Sequence, residues 1–256
     1  ATKLAELLSA ETKFKAAVDT VVLDSNSIFG HDPGYSDYSG IKSDKFVAEC
    51  TEFFTELKAS SIKTLSLQRT GMGPVSLRTL ATSLPAAVAR LSLSGNMITG
   101  SLWDESTDYK WEYDKDLSGI MVLFDTLKNS SVTELDLSEC WLGPGSLGKL
   151  AEYVRDAEAV LTSINCLANE FGDDDLATLL TAIEGTSVRS LCGLTEGQTT
   201  ADFSGQNLGP IDMKIMAAEY GFQGFIAVLN SVTVDSTGDM GAHWDSTQSK
   251  YVSNQI

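Results

Sequence analysis

One spacing of apolar residues, LxxLxLxxNxL, returns along most of this chain and constrains its fold more than anything else in it. The copies read Val18-Val21-Leu23-Asn26-Ile28, Ile62-Leu65-Leu67-Thr70-Met72, Val88-Leu91-Leu93-Asn96-Ile98, Val132-Leu135-Leu137-Cys140-Leu142 and Leu161-Ile164-Cys166-Asn169-Phe171. A sixth begins at Val188 and Leu191, breaks over Gly193 to Gln198, and resumes as Ala201-Phe203-Gln206-Leu208. A seventh is reduced to Leu229-Val232-Val234. The copies start at 18, 62, 88, 132, 161 and 188, at intervals of 44, 26, 44, 29 and 27. A base period near 28 fits three of these, and each interval of 44 carries about 16 extra residues.

Physical chemistry turns that spacing into a shape. Residues two apart on a strand share a face, so Leu65 and Leu67 both point inward. The Asn, Thr or Cys beyond them falls where the chain turns, and its short polar side chain can satisfy backbone groups of adjacent coils. Glycine often follows (Gly30, Gly73, Gly100, Gly143, Gly172, Gly209), after which the apolar spacing becomes helical, as in Leu147-Leu150-Ala151-Val154. Each unit is a strand plus a helix, and neither buries its apolar face alone, so units must stack. In this register Leu137 is core and Ser138 points outward.

The best single copy, VTELDLSECWLGPGSLGKLAEYV over residues 132–154, resembles the leucine-rich repeat family, specifically its ribonuclease-inhibitor-like subclass. The resemblance covers roughly residues 14–240. It implies an α/β leucine-rich repeat solenoid of about seven coils, a horseshoe with parallel strands on the concave face and helices on the convex face. Residues 1–256 then form a single domain. Residues 1–17 are expected to supply an N-terminal capping helix, with Leu4, Leu7 and Leu8 on one face. Lys45 to Lys58 reads as a further helix with Phe46, Cys50, Phe53 and Leu57 at core spacing. Residues 31–44 and 101–116 are rim insertions. Residues 235–256 lose the rhythm and are either a C-terminal cap or a truncated end.

Charge narrows the partners. Eighteen Lys+Arg stand against 35 Asp+Glu, a net of −17. Nucleic-acid phosphates need a basic patch, and anionic membranes need basic segments, so both are disfavoured; basic or neutral protein surfaces remain. No stretch is long and apolar enough for direct membrane insertion. Cys50, Cys140, Cys166 and Cys192 form no CxxC pair, and no secretory core precedes the first copy, which points to a cytoplasmic or otherwise intracellular setting. The chain starts on Ala1, so an organelle fits if a presequence was removed.

Catalytic motifs are weak. Gly143-Pro144-Gly145-Ser146-Leu147-Gly148 fits GxGxxG literally, yet occupies the turn-to-helix junction of the repeat, and Pro144 removes an amide. Asp173-Asp174-Asp175 reads as helix capping rather than a metal site. His31 and His243 stand apart from any ligand spacing. No cofactor, metal or catalytic residue is therefore expected, and the chain reads as not an enzyme.

Recognition residues are easier to nominate. Two columns project beside the inward leucines: Val22, Ser66, Ser92, Asp136, Asn165, Asp202 and Thr233, and Thr20, Thr64, Arg90, Glu134 and Ser163. They are short and polar, with Arg69, Arg90, Glu134, Asp136 and Glu139 as the conspicuous charges. Large aromatics gather instead in the insertions: Tyr35 and Tyr38 in the first, Trp103, Tyr109, Trp111 and Tyr113 in the second. Trp and Tyr in an acidic loop suit recognition of a basic partner, although packing that merely fixes the loop is the plainer alternative. The reading is a non-catalytic protein–protein interaction scaffold, a subunit or adaptor of a larger assembly, that binds through its rim loops and its concave face. The alternative is a GTPase-activating regulator of the Ran GTPase activator type, implied by the subclass alone and separable by a GTP hydrolysis assay.

Overall fold

Three-residue strands alternate with helices, and the strands fall on the leucine-bearing segments. The computed structural model describes residues 18–30, 43–104, 110–156, 160–234, 243–245 and 250–252. The first coil holds β1 (Thr20–Val22), a 3-10 turn (Ala48–Cys50) and α1 (Thr51–Lys58). The second holds β2 (Thr64–Ser66) and α2 (Pro74–Thr82). The third holds β3 (Arg90–Ser92), a hairpin of β4 (Leu102–Asp104) and β5 (Lys110–Glu112), and α3 (Ser118–Leu127). The fourth holds β6 (Glu134–Asp136) and α4 (Pro144–Asp156); the fifth, β7 (Ser163–Asn165) and α5 (Asp173–Ile183). Beyond them come β8 (Thr200–Asp202), α6 (Pro210–Gly221), β9 (Ser231–Thr233), and the antiparallel pair β10 (His243–Asp245) and β11 (Lys250–Val252).

One parallel sheet runs β1-β2-β3-β6-β7. Its register puts Val21, Leu65, Leu91, Leu135 and Ile164 side by side, as the repeat spacing predicts. These residues, with Leu67, Leu93, Leu137 and Cys166 behind them, form one continuous core with the inward faces of the helices. Each fully buried leucine contributes roughly 1.5–3 kcal/mol over exposure. Five strands share this sheet among the described residues, fewer than the seven coils expected. The helix expected over 45–58 is shorter: a turn and the 3-10 segment Ala48–Cys50 come first, and α1 begins at Thr51. The terminal segments expected as caps, 1–17 and most of 235–256, lie outside the described residues.

Asparagines bind the turns together. Asn96 Oδ1 accepts from the Thr70 and Met72 amides at 3.0 Å each, while its Nδ2 donates to the Leu67 and Leu93 carbonyls at 2.8 Å. Asn169 repeats the device one pair of coils later, accepting from Cys140 and Leu142 and donating to Leu137 and Cys166. Both are buried, so each replaces water for four backbone groups of two coils. Ser138, expected outward, is instead only 6% exposed and hydrogen-bonds to Asp136 and Ser94. It lies past the strand end, where the chain curls back over the neighbouring coil.

The repeat has a larger period than the single coil. Asn26 and Asn96, Gly73 and Gly143, Pro74 and Pro144, and Ser76 and Ser146 all stand 70 residues apart. So do Asp44, the last residue of the first insertion, and Asp114, near the end of the second, which perform the same task. Asp44 accepts from the amides of Gly73, Val75 and Ser76 and caps α2. Asp114 accepts from Gly143 at 3.2 Å and Ser146 at 2.9 Å and caps α4. Each insertion thus returns to seal the helix of the following coil, and the Gly143 and Ser146 amides of the GxGxxG match are already occupied. Helices α5 and α6 follow no insertion and cap themselves through Asp175 and Asp212. Asp114→Ala should cost about 1–2 kcal/mol in chemical denaturation and speed hydrogen exchange at Gly143 and Ser146.

After β7 the ladder breaks. Residues 189–193 still hydrogen-bond to the fifth coil, with Ile164 donating to Ser190, Cys166 to Leu191 and Gly193 to Ile164. They form isolated bridges with β7 rather than a strand, and β8 pairs with β9 in a separate sheet. The break is filled by a side chain. Glu219 of α6 is fully buried, and its Oε1 accepts from Ser190 Oγ at 2.9 Å, the Cys192 amide at 2.8 Å and the Leu191 amide. Asp212, also buried, accepts from the Ala168 amide of the fifth coil at 2.8 Å. Burial pushes both carboxyls above the usual range, and the backbone hydrogen bonds oppose that shift. A raised carboxyl binds its proton more tightly in the folded chain. Its contribution to stability is therefore complete at low pH and lost as pH rises through the folded value. Glu219→Gln keeps an acceptor and removes the charge, so its stability should fall less than that of the parent as pH is raised above about 4.5, as read by denaturation at a series of pH values.

Candidate functional site

The open side of the five-stranded sheet carries the two columns read from the sequence. Val22, Ser66, Ser92, Asp136 and Asn165 stand in one row, and Thr20, Thr64, Arg90, Glu134 and Ser163 in the next. Asp202 and Thr233 pair with each other but lie outside this sheet. A shallow depression of about 310 Å³ crosses the rows, floored by Thr64, Ser66, Ser92 and Asn165.

Its charges are committed to one another. Arg90 meets Glu134 at 2.9 Å across adjacent strands. Arg69 reaches Glu139, passing over the third coil at Gly95, where a Cβ would come within 2.4 Å of the arginine side chain. Gly95 also has φ 71°, so glycine is required there twice over. Asp136 accepts from Ser92 Oγ at 2.8 Å and from the Ser138 amide at 3.1 Å. Four of the nominated charges, Arg69, Glu134, Asp136 and Glu139, thus already have partners on neighbouring coils; exposed ion pairs of this kind contribute little to stability, about 0–1 kcal/mol each.

A second feature lies on the rim where the second insertion rejoins the body. Trp111 of β5 stacks on Trp141, ring centroids 4.2 Å apart and planes 22° apart, and lies 6.5 Å from the Tyr113 ring. All three are half-buried. Tyr113 is held close by the body: a Cβ on Gly143 would sit 2.7 Å from its own. Its phenol is pushed up to about 12, first by burial and then by the charge of Glu170. Glu170, on the turn of the fifth coil, is exposed, and its amide donates to the Leu142 carbonyl at 2.9 Å. Partial desolvation and the charge of Asp212 raise its carboxyl.

The nominated aromatics therefore divide. Trp111 and Tyr113 come together on one rim. Tyr35, Tyr38 and Tyr109 lie outside the described residues, as does the side chain of Trp103. Trp141 and Glu170 were not singled out in the sequence. Trp141 has φ 55°, a left-handed conformation unusual for a bulky residue, at the position held 70 residues earlier by Gly71 with φ 72°. Only alignment at the 70-residue period exposes that replacement.

Stacked strand–turn–helix coils with mostly leucine at the inward strand positions define the architecture: an α/β fold of repeated coils on a parallel sheet. No protein-family model matches the chain, and no curated protein does. Solved structures similar to it include leiomodin-1 actin-binding site 2, at 14% identity over 72% of this chain and 86% of that one, TM-score 0.42. Another is the leucine-rich repeat-containing protein LegL7 from Legionella pneumophila, at 19% identity over 95% of this chain, TM-score 0.46. This chain spans 63% of the LegL7 structure.

Proposed function

We propose that this chain is a non-catalytic protein–protein interaction scaffold, a subunit or adaptor of a larger assembly, built as a curved solenoid of ribonuclease-inhibitor-like repeats. The observation that carries this reading is the stacked Trp111–Trp141 pair, half-exposed where the second insertion meets the fourth coil. Large rigid aromatics on a surface supply contact area at small entropic cost, which is what interface anchors require. The sheet beside them offers a polar array fixed in register by backbone ladders rather than by mobile side chains. Four free, buried thiols suit a reducing intracellular compartment.

The test is affinity capture from the native source with the parent chain and with residues 101–116 replaced by a Gly/Ser linker of equal length. The expected result is loss of the partners that the parent recovers. Undiminished recovery of the same partners removes the rim from the account and leaves the sheet face to be tested by charge reversal at Arg90.

A further inference from the structure

We propose that the corner formed by Trp111, Tyr113, Trp141 and Glu170 receives an arginine side chain from the protein partner. This rests on the scaffold reading and names the chemistry of its contact.

Two properties of the corner select the ligand. The first is a row of aromatic surface. Trp111 lies parallel to Trp141 within 22° and to Tyr113 within 19°, and all three residues are half-buried, so the stack leaves a partly exposed aromatic slab. A flat cation matches such a slab; guanidinium stacks on indole and is more weakly hydrated than ammonium. The second is an uncompensated carboxylate. Glu170 lies close enough to Tyr113 for its charge to act on the phenol, yet no ion pair reaches it among the described residues. Three cations of the described residues form ion pairs with other acids: Arg69 with Glu139, Arg90 with Glu134 and Lys115 with Glu112. A guanidinium supplies stacking and a two-pronged hydrogen bond to carboxylate at once, whereas an ammonium supplies a point charge. The net charge of −17 draws a basic segment toward the molecule before the specific contact forms.

The backbone supports the same assignment. A tryptophan replaces glycine in the left-handed turn of the fourth coil, where the equivalent turn of the second coil keeps Gly71. Strain at a bulky residue persists where the surroundings hold it; here the holding contact is Trp111, and the product is the aromatic row.

The experiment titrates the full chain with an alternating Arg-Gly peptide and a matched Lys-Gly peptide by calorimetry at two ionic strengths. The variants are Glu170→Gln, Trp141→Gly and, as a control on an exposed acid elsewhere, Glu184→Gln. Trp141→Gly suits the left-handed backbone, so it removes the indole without threatening the fold. The parent should bind the Arg peptide at least about tenfold more tightly than the Lys peptide. Glu170→Gln and Trp141→Gly should each lose about tenfold or more, with Glu184→Gln unchanged. Equal binding of the two peptides, or equal weakening by all three variants, reports diffuse attraction to an acidic protein and overturns the proposal. Absence of peptide binding, alongside capture of partners that depends on residues 101–116, overturns the arginine assignment and leaves the scaffold standing. Loss of that dependence removes the scaffold reading whatever the peptides do.

Discussion

Asn96→Ala should destabilise the chain by on the order of 3–5 kcal/mol, the largest effect of any single polar replacement described here. The side chain contributes no apolar burial, so the loss comes from its hydrogen bonds alone. Its Oδ1 serves two buried amides of the second coil, and its Nδ2 serves the Leu67 and Leu93 carbonyls. An unsatisfied buried group costs about 1–3 kcal/mol, and alanine leaves several at once. Asn26, at the same point of the first coil, is exposed and, among the described residues, donates to Leu23 and Asp24 of its own coil. Asn26→Ala should therefore cost under about 1 kcal/mol. Denaturant midpoints of the two variants, measured together, check the ladder; equal midpoints would show that the asparagines act locally and do not join coils.

Leu137→Ala should cost about 2–5 kcal/mol, the range for truncation in a packed core. Leu137 is fully buried between the sheet and the inward faces of the helices, and neither neighbouring coil can close the gap without shifting its own strand. Ser138→Ala, one residue on, removes a hydroxyl bonded to Asp136 at 2.7 Å and Ser94 at 3.0 Å. Its cost should be about 1 kcal/mol, above the near-zero value for a solvated serine. Thermal or denaturant unfolding of the pair distinguishes them, and comparable losses would mean that the inward register is misassigned.

The coils themselves were legible in the sequence because alternation within a strand and leucine at fixed steps are backbone geometry written directly in residue type. Residues Leu65, Leu91, Leu135 and Ile164 are neighbours, as their spacing requires. The cross-coil role of the turn asparagines was legible too; what escaped the sequence was the cross-coil role of the acids. Asp44 and Asp114 look like ordinary loop acids until the chain folds and sets them on helices about 30 residues ahead. Glu219 reads as a solvated helix residue, yet it closes the gap left by the broken sixth copy. Of the charged residues nominated for binding, Arg69, Glu139 and Glu134 sit in ion pairs and Asp136 accepts from Ser92 and Ser138, partners that columns read in isolation do not reveal. The rim was half legible: Trp111 and Tyr113 were found through aromatic density. Trp141 and Glu170 were hidden because each sits at a turn position inside an otherwise regular copy.

The interruption after β7 also gives the molecule a mechanical grain. Tension along the coil axis meets continuous backbone ladders through five strands and further backbone hydrogen bonds from the fifth coil to residues 189–193. Next comes a joint spanned, among the described residues, by hydrogen bonds of the Glu219 and Asp212 side chains and by the Phe225 amide, which donates to the Arg189 carbonyl. Such a joint yields before the ladders do, so load from the C-terminal side would peel β8, α6 and β9 away while the aromatic rim stayed assembled.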